Sequence, residues 1–165
     1  MIGLLEGTVE LRNDPFIIVL VSGVGYKVLV SSEVLSKING IGSKIKLFIH
    51  THVREDALDL YGFLSPQDLT LFEQLIGVSG VGPKTALGIF SKGNASQIIS
   101  AIVQGDVEFF TSVPRLGKKN AQKVIIELKS KVGSTGELDL SGYGIDSNFR
   151  TIFTICPIWF LSALP

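Results

Sequence analysis

The 165-residue chain carries 45% apolar and 18% charged residues, enough apolar content to build a core and unlike a disordered segment. A single cysteine, Cys156, excludes an internal disulfide framework and a cysteine-based zinc cluster, and the longest strongly apolar stretch, residues 16–21, is far too short to span a bilayer. Lys+Arg and Asp+Glu both number 15, so the chain as a whole lacks the basic excess of a nucleic-acid binder.

In chain order, the first segment has Glu6 and Glu10 where an export leader would be basic, which favours a cytoplasmic location. Residues 2–63 then read as short β segments at 2–11, 16–21, 26–30, 44–53 and 58–63, with a short helix expected at 33–38. Asn13-Asp14-Pro15 and Ser22-Gly23 are turn signals. Tyr26, Val28 and Val30 alternate with Lys27 and Leu29, and Ile45, Leu47 and Ile49 alternate with Lys44, Lys46 and Phe48. Such a run of strands suggests a small closed or nearly closed barrel. An oligonucleotide-binding (OB) type fits the count, and an SH3-like barrel fits it too.

From Ser65 the period becomes helical. Ser65 suits an N-cap, Pro66 the first helical position, and Asp68 the positive end of the dipole. Further helices are expected at 83–90, 95–103, 106–111 and 118–131, the last with Ala121, Val124, Ile125, Leu128 and Val132 along one stripe. Residues 133–144 are rich in Gly and Ser and read as a flexible linker. The expected fold class is therefore α+β and multidomain. An OB-type five-stranded β-barrel occupies 1–64, an all-α helical domain 65–134, and a linker with an atypical tail 135–165.

Divided along the chain, the neutral total is a sum of unlike parts. Residues 1–64 carry 6 basic and 7 acidic side chains, net −1; residues 65–135 carry 8 and 5, net +3; residues 136–165 carry 1 and 3, net −2. Within the middle part lies an internal repeat at an offset of 35 residues: Val78-Ser79-Gly80-Val81-Gly82-Pro83-Lys84-Thr85-Ala86 aligns with Val113-Pro114-Arg115-Leu116-Gly117-Lys118-Lys119-Asn120-Ala121. Each copy follows one helix and opens another. Gly82 and Gly117 are expected to let the backbone turn sharply and approach a ligand closely. The helix that follows offers unpaired N–H groups and the positive end of its dipole, with Lys84, Lys118 and Lys119 beside it. Such a helix-hairpin-helix holds a DNA phosphate without reading bases. Ser79, Gly80, Val81, Gly82, Lys84, Arg115, Gly117, Lys118 and Lys119 are the expected phosphate-binding set.

A lone Gly-x-Gly before a helix is usually only a turn, and Gly23-Val24-Gly25 and Gly40-Ile41-Gly42 serve as internal controls, since neither opens an amphipathic helix. Gly77, Gly82, Lys84 and Thr85 approach a P-loop, but Pro83 intervenes and no strand precedes them, so no ATPase activity is expected. His50 and His52 share a strand face with no further ligand nearby, so no metal site and no cofactor is expected. Arg54-Glu55-Asp56 alone reads as a solvated turn.

Met1-Ile2-Gly3, Gly23-Val24-Gly25-Tyr26, Val53-Arg54-Glu55-Asp56-Ala57, Leu60-Tyr61-Gly62-Phe63 and the two hairpins occur together and in order. Over residues 1–134 this combination resembles the RuvA family, the Holliday-junction-binding subunits of a bacterial branch-migration complex. The resemblance implies a homotetramer, single or paired, that binds four-way junction DNA in recombination and repair. No bond is broken by such a subunit. It implies that Glu55 and Asp56 form an acidic pin at the crossover, and that a RuvB-type hexameric ATPase and a RuvC-type resolvase are partners. The family docks its motor through a third helical domain. Only 21 residues follow Gly144 here, and residues 151–165 carry no charge, which reads as a truncated or frame-shifted end, or else as a private packing segment. Either reading puts motor docking in question. Arg115 is a second departure, since the family usually has Gly there; a left-handed backbone at Arg would cost on the order of 1 kcal/mol or more. Two other functions stay open: a general duplex binder, or a Mg²⁺-dependent nuclease using Glu55, Asp56 and Asp59.

Overall fold

The computed structural model describes residues 1–132. The expected domain end at 134, the linker and the tail at 135–165 lie outside the described residues. Five strands, β1 (Leu4–Asn13), β2 (Phe16–Val21), β3 (Val24–Leu29), β4 (Lys44–Val53) and β5 (Leu58–Phe63), close into a barrel in the order β1-β2-β3-β5-β4. β4 returns to β1 antiparallel, and only the β3–β5 pair is parallel, with Val28 opposite Leu60 and Leu29 opposite Tyr61. This closed Greek-key order is the OB type and resolves the barrel ambiguity left by strand counting.

Period-two alternation supplies the interior. Val9, Ile17, Val19, Val28 and Leu47 are fully buried inside the barrel, while Lys44 and Lys46 point to solvent. Helix α1 (Ser32–Lys37) lies between β3 and β4 and adds Val34, Leu35 and the following Ile38 to that core. Its cap is Ser31, whose Oγ accepts from the Val34 N–H at 3.3 Å. The helix begins one residue before the expected 33. β1 and β3 also shift, running Leu4–Asn13 and Val24–Leu29 where 2–11 and 26–30 were expected. At β2–β3 the cause is a two-residue turn in which Ser22 and Gly23 both take positive φ, 49° and 85°, the primed geometry that lets strands run right up to it.

The second half is helical: α2 (Pro66–Ile76), α3 (Pro83–Phe90), α4 (Ala95–Gln104), α5 (Val107–Thr111) and α6 (Lys118–Val132). Local chemistry sets the starts. Ser65 Oγ accepts from the Asp68 N–H at 3.1 Å, with Pro66 in the first turn. Asn94 and Gln97 form a reciprocal capping box on α4. Asp106 caps α5 through the Phe109 N–H at 3.0 Å and is not itself part of the helix. The α6 stripe buries Ala121, Val124, Ile125 and Leu128.

The two halves meet on β5, which is buried on both faces. Leu60 faces the barrel interior, whereas Tyr61 and Phe63 belong to the helical core. Phe72 of α2 sits 5.4 Å from the Tyr61 ring centroid and 4.8 Å from that of Phe63; Phe90 of α3 lies 5.3 Å from Phe63. Gly62, between them, faces inward, where a Cβ would stand 2.6 Å from Val28 Cγ1, so only glycine fits without displacing the barrel wall. His50 on the outer face of β4 is 3.1 Å from Glu73 of α2 and completes the seam. No helix among the described residues is long and apolar enough to cross a membrane.

Candidate nucleic-acid interface

The repeat is reproduced bond by bond. In the first copy Gly77 N–H donates to Glu73 O at 3.1 Å, Val78 N–H to Leu75 O at 3.1 Å, Val81 N–H to Val78 O at 3.0 Å and Ala86 N–H to Gly82 O at 2.9 Å. The second copy has the same four, 35 residues on: Ser112 to Glu108 at 3.1 Å, Val113 to Phe110 at 3.1 Å, Leu116 to Val113 at 3.2 Å and Ala121 to Gly117 at 3.0 Å. Each loop is thus a four-residue turn, 78–81 and 113–116, hung between helices. Its ends, Val78 and Val81 or Val113 and Leu116, are buried; its central pair, Ser79-Gly80 or Pro114-Arg115, is exposed. Ala86 and Ala121 are fully buried, as close helix crossing requires.

The left-handed residue of each turn is the third, Gly80 at φ +90° and Arg115 at φ +69°. That is the type II pattern, in which Pro favours the second position, as Pro114 does. Sharp turning therefore belongs to 80 and 115, and not to Gly82 and Gly117 as expected from the Gly-x-Gly pattern. Gly82 is extended, φ −89° and ψ 168°. What glycine supplies at 82 and 117 is open space, because a Cβ there would meet nothing within 4 Å of the chain's own atoms. Val81 also changes role: its side chain is buried and its N–H is committed to Val78 O, so it anchors the turn.

Beside each turn a helix start and exposed cations follow in sequence. α3 starts at Gly82 with no side-chain cap, which leaves its first N–H groups without a side-chain acceptor. Lys84 is the second residue of α3, Lys118 and Lys119 are the first two of α6, and all three are exposed. Arg115 is exposed at the tip of the second loop. One participant was missed in the sequence. Asn120 Nδ2 donates to Gly80 O at 3.3 Å, joining the start of α6 to the first loop across 40 residues. Its repeat counterpart is Thr85, and that mismatch was the available signal.

The acidic pair stands on a different element. Arg54 and Ala57 exchange backbone hydrogen bonds of 2.8 and 3.4 Å, so Glu55 and Asp56 are the two-residue turn joining β4 to β5. Both are exposed, and neither carboxylate has a partner among the described residues. Asp59 is drawn away from them, held by Arg54 Nη2 at 3.0 Å. Among the described residues no three His, Cys, Asp or Glu side chains converge as a metal site needs, so Glu55, Asp56 and Asp59 do not assemble the cluster a nuclease would use. His50 and His52 stack on each other at 6.4 Å between ring centroids, with His50 turned to Glu73. The near P-loop is preceded by helix α2 and lacks the strand that motif requires.

Comparison with known proteins follows the same division. Residues 1–62 match the family described as RuvA N terminal domain, and residues 72–130 match the SAM-like Helix-hairpin-helix tandem. A protein of Dehalococcoides mccartyi (strain CBDB1) is 36% identical over 163 residues, 99% of this chain and 84% of that protein. One of Solidesulfovibrio magneticus (strain ATCC 700980 / DSM 13731 / RS-1) is 46% identical over 133 residues, covering 80% and 66%. A third, of Geobacter sp. (strain M21), is 42% identical over 136 residues, covering 82% and 68%. Each is named Holliday junction branch migration complex subunit RuvA. The chain spans about two thirds of the length of the latter two relatives. With a closed OB barrel, a bond-matched tandem hairpin domain and this identity along its length, the chain belongs to the RuvA family.

Proposed function

We propose that this protein binds four-way DNA junctions as a homotetramer, single or paired, and holds them open while a separate hexameric ATPase drives branch migration. Its own role is non-catalytic. The observation that carries the reading is the pairing of two matched phosphate-type loops, flanked by Lys84, Lys118, Lys119 and Arg115, with an exposed, unpartnered Glu55-Asp56 turn. The loops attract the phosphates of the duplex arms without reading bases, and counterion release makes that attraction steeply salt-dependent. The carboxylates repel phosphate, so continuous duplex is disfavoured where they stand and separated strands are favoured. In a tetramer four such turns would converge at the crossover. A resolvase that cuts the opened junction is a fitting further partner.

The test is a gel-shift comparison of a four-way junction with linear duplex of the same arm sequence, across a salt series, using the full chain. Preferential junction binding with a steep salt slope is expected. Equal affinity for both substrates would leave a general duplex binder, and specific incision of labelled junction in Mg²⁺ would make it a nuclease.

A further inference from the structure

The two loops match in every backbone bond that defines them, yet they are not held equally. In the first loop the peptide unit between Gly80 and Val81 is fixed at both ends. Its N–H donates to Val78 O at 3.0 Å, and its C=O accepts from Asn120 Nδ2 at 3.3 Å. The corresponding unit in the second loop, between Arg115 and Leu116, is fixed through its N–H alone among the described residues. Thr85, where the repeat would place the reciprocal donor, makes no such bond among the described residues. The Asn120 amide also lies close against the loop: a Cβ on Gly80 would stand 3.0 Å from Oδ1 and 3.2 Å from Nδ2.

A peptide plane held at both ends resists rotation, and its orientation biases where the neighbouring Gly80 and Gly82 N–H groups point. The donor sits on the third residue of α6, directly after Lys118 and Lys119. The bond therefore ties the first loop's backbone to the helix end that carries the second loop's cations.

We propose that Asn120 is a positioning residue for DNA binding: it aims the first loop's N–H groups at the phosphate of a duplex arm. The idea rests on the junction-binding reading above. Asn120 itself need touch no DNA. Pre-setting the loop removes an ordering cost that would otherwise fall on binding.

The test measures dissociation constants for a junction annealed from four synthetic oligonucleotides. Asn120→Ala, and Asn120→Thr, which installs the residue tolerated at the matching position of α3, are each expected to weaken binding about 3- to 10-fold, the span of one ordinary hydrogen bond. The salt slope should stay the same, since no cation is lost. Two blocking variants then separate positioning from direct contact. Gly82→Ala and Gly117→Ala each place a methyl where the fold has open space and an arriving phosphate does not. Asn120→Ala is expected to cost less than twofold in the Gly82→Ala background and its full factor in the Gly117→Ala background. In the DNA-free protein, amide exchange at Val81 should quicken in both Asn120 variants. Binding by the native chain with unchanged affinity in both variants, or full multiplicativity with Gly82→Ala, overturns the positioning role alone. Failure of the native chain to bind junction or duplex overturns the junction reading and this inference with it.

Discussion

Arg115 holds a left-handed backbone, φ +69°, at the position where the first repeat has Gly80. For a non-glycine residue that geometry costs roughly 1–2 kcal/mol. On the proposed function, the exposed guanidinium, three residues before Lys118, offsets that cost by offering a full charge to phosphate. Arg115→Gly should therefore move two measurements in opposite directions. Stability should rise by about 1 kcal/mol in a urea titration. Junction affinity should fall, and the salt slope should shallow by about one phosphate contact. A loss of stability would mean that the side chain packs in the fold. The repeat alignment made this residue conspicuous in the sequence, since it stands opposite a glycine. The sign of φ is not legible there, and the Gly-x-Gly pattern points to a sharp turn two residues too late. Glycine serves two ends here, left-handed geometry at 80 and open surface at 82, and a Gly-x-Gly pattern does not say which glycine does which.

At the scale of elements, the β4–β5 hairpin carries its acidic turn with no partner for either carboxylate among the described residues. Glu55→Gln combined with Asp56→Asn should leave the melting temperature within about 1 °C, because exposed, unpartnered groups contribute little. Affinity for plain duplex should increase on the order of several-fold at low salt, with the gain shrinking as salt screens it. A competition gel with junction and duplex measures both, and unchanged duplex affinity would remove the repulsive role. Helix boundaries were the most legible elements, because Ser65, Pro66, Pro83 and Asn94 punctuate them chemically. Strand ends were less so. Alternation marks which face a residue takes and says little about where pairing stops, so β1 and β3 each shifted by about two residues.

For the molecule as a whole, the seam on β5 decides whether the two halves behave as one. Phe72 is fully buried against Tyr61 and Phe63, so Phe72→Ala should cost about 3–5 kcal/mol. The loss should reach both halves: hydrogen exchange should speed at Ile98 in the helical core and at Val19 in the barrel alike. Barrel amides that keep their native protection would show the seam to be a contact between independent units. Charge and period divide the sequence into segments, yet they conceal this joint. Residues 60–63 read as a short apolar run, and such a run does not reveal that one face serves a barrel and the other a helical core.

The same strand has a mechanical consequence. β5 starts directly behind the acidic turn, and after Leu64 and the capping Ser65 the chain enters α2, which ends at the first loop. Roughly 20 Å of strand and about 16 Å of helix, braced by one aromatic cluster, leave little slack between the acidic turn and the first loop. On the junction-binding proposal, the repelling point and the gripping point would stand as the jaws of a caliper. A substrate would then be accepted or refused on a length, the distance from strand crossover to arm backbone, without a single base being read.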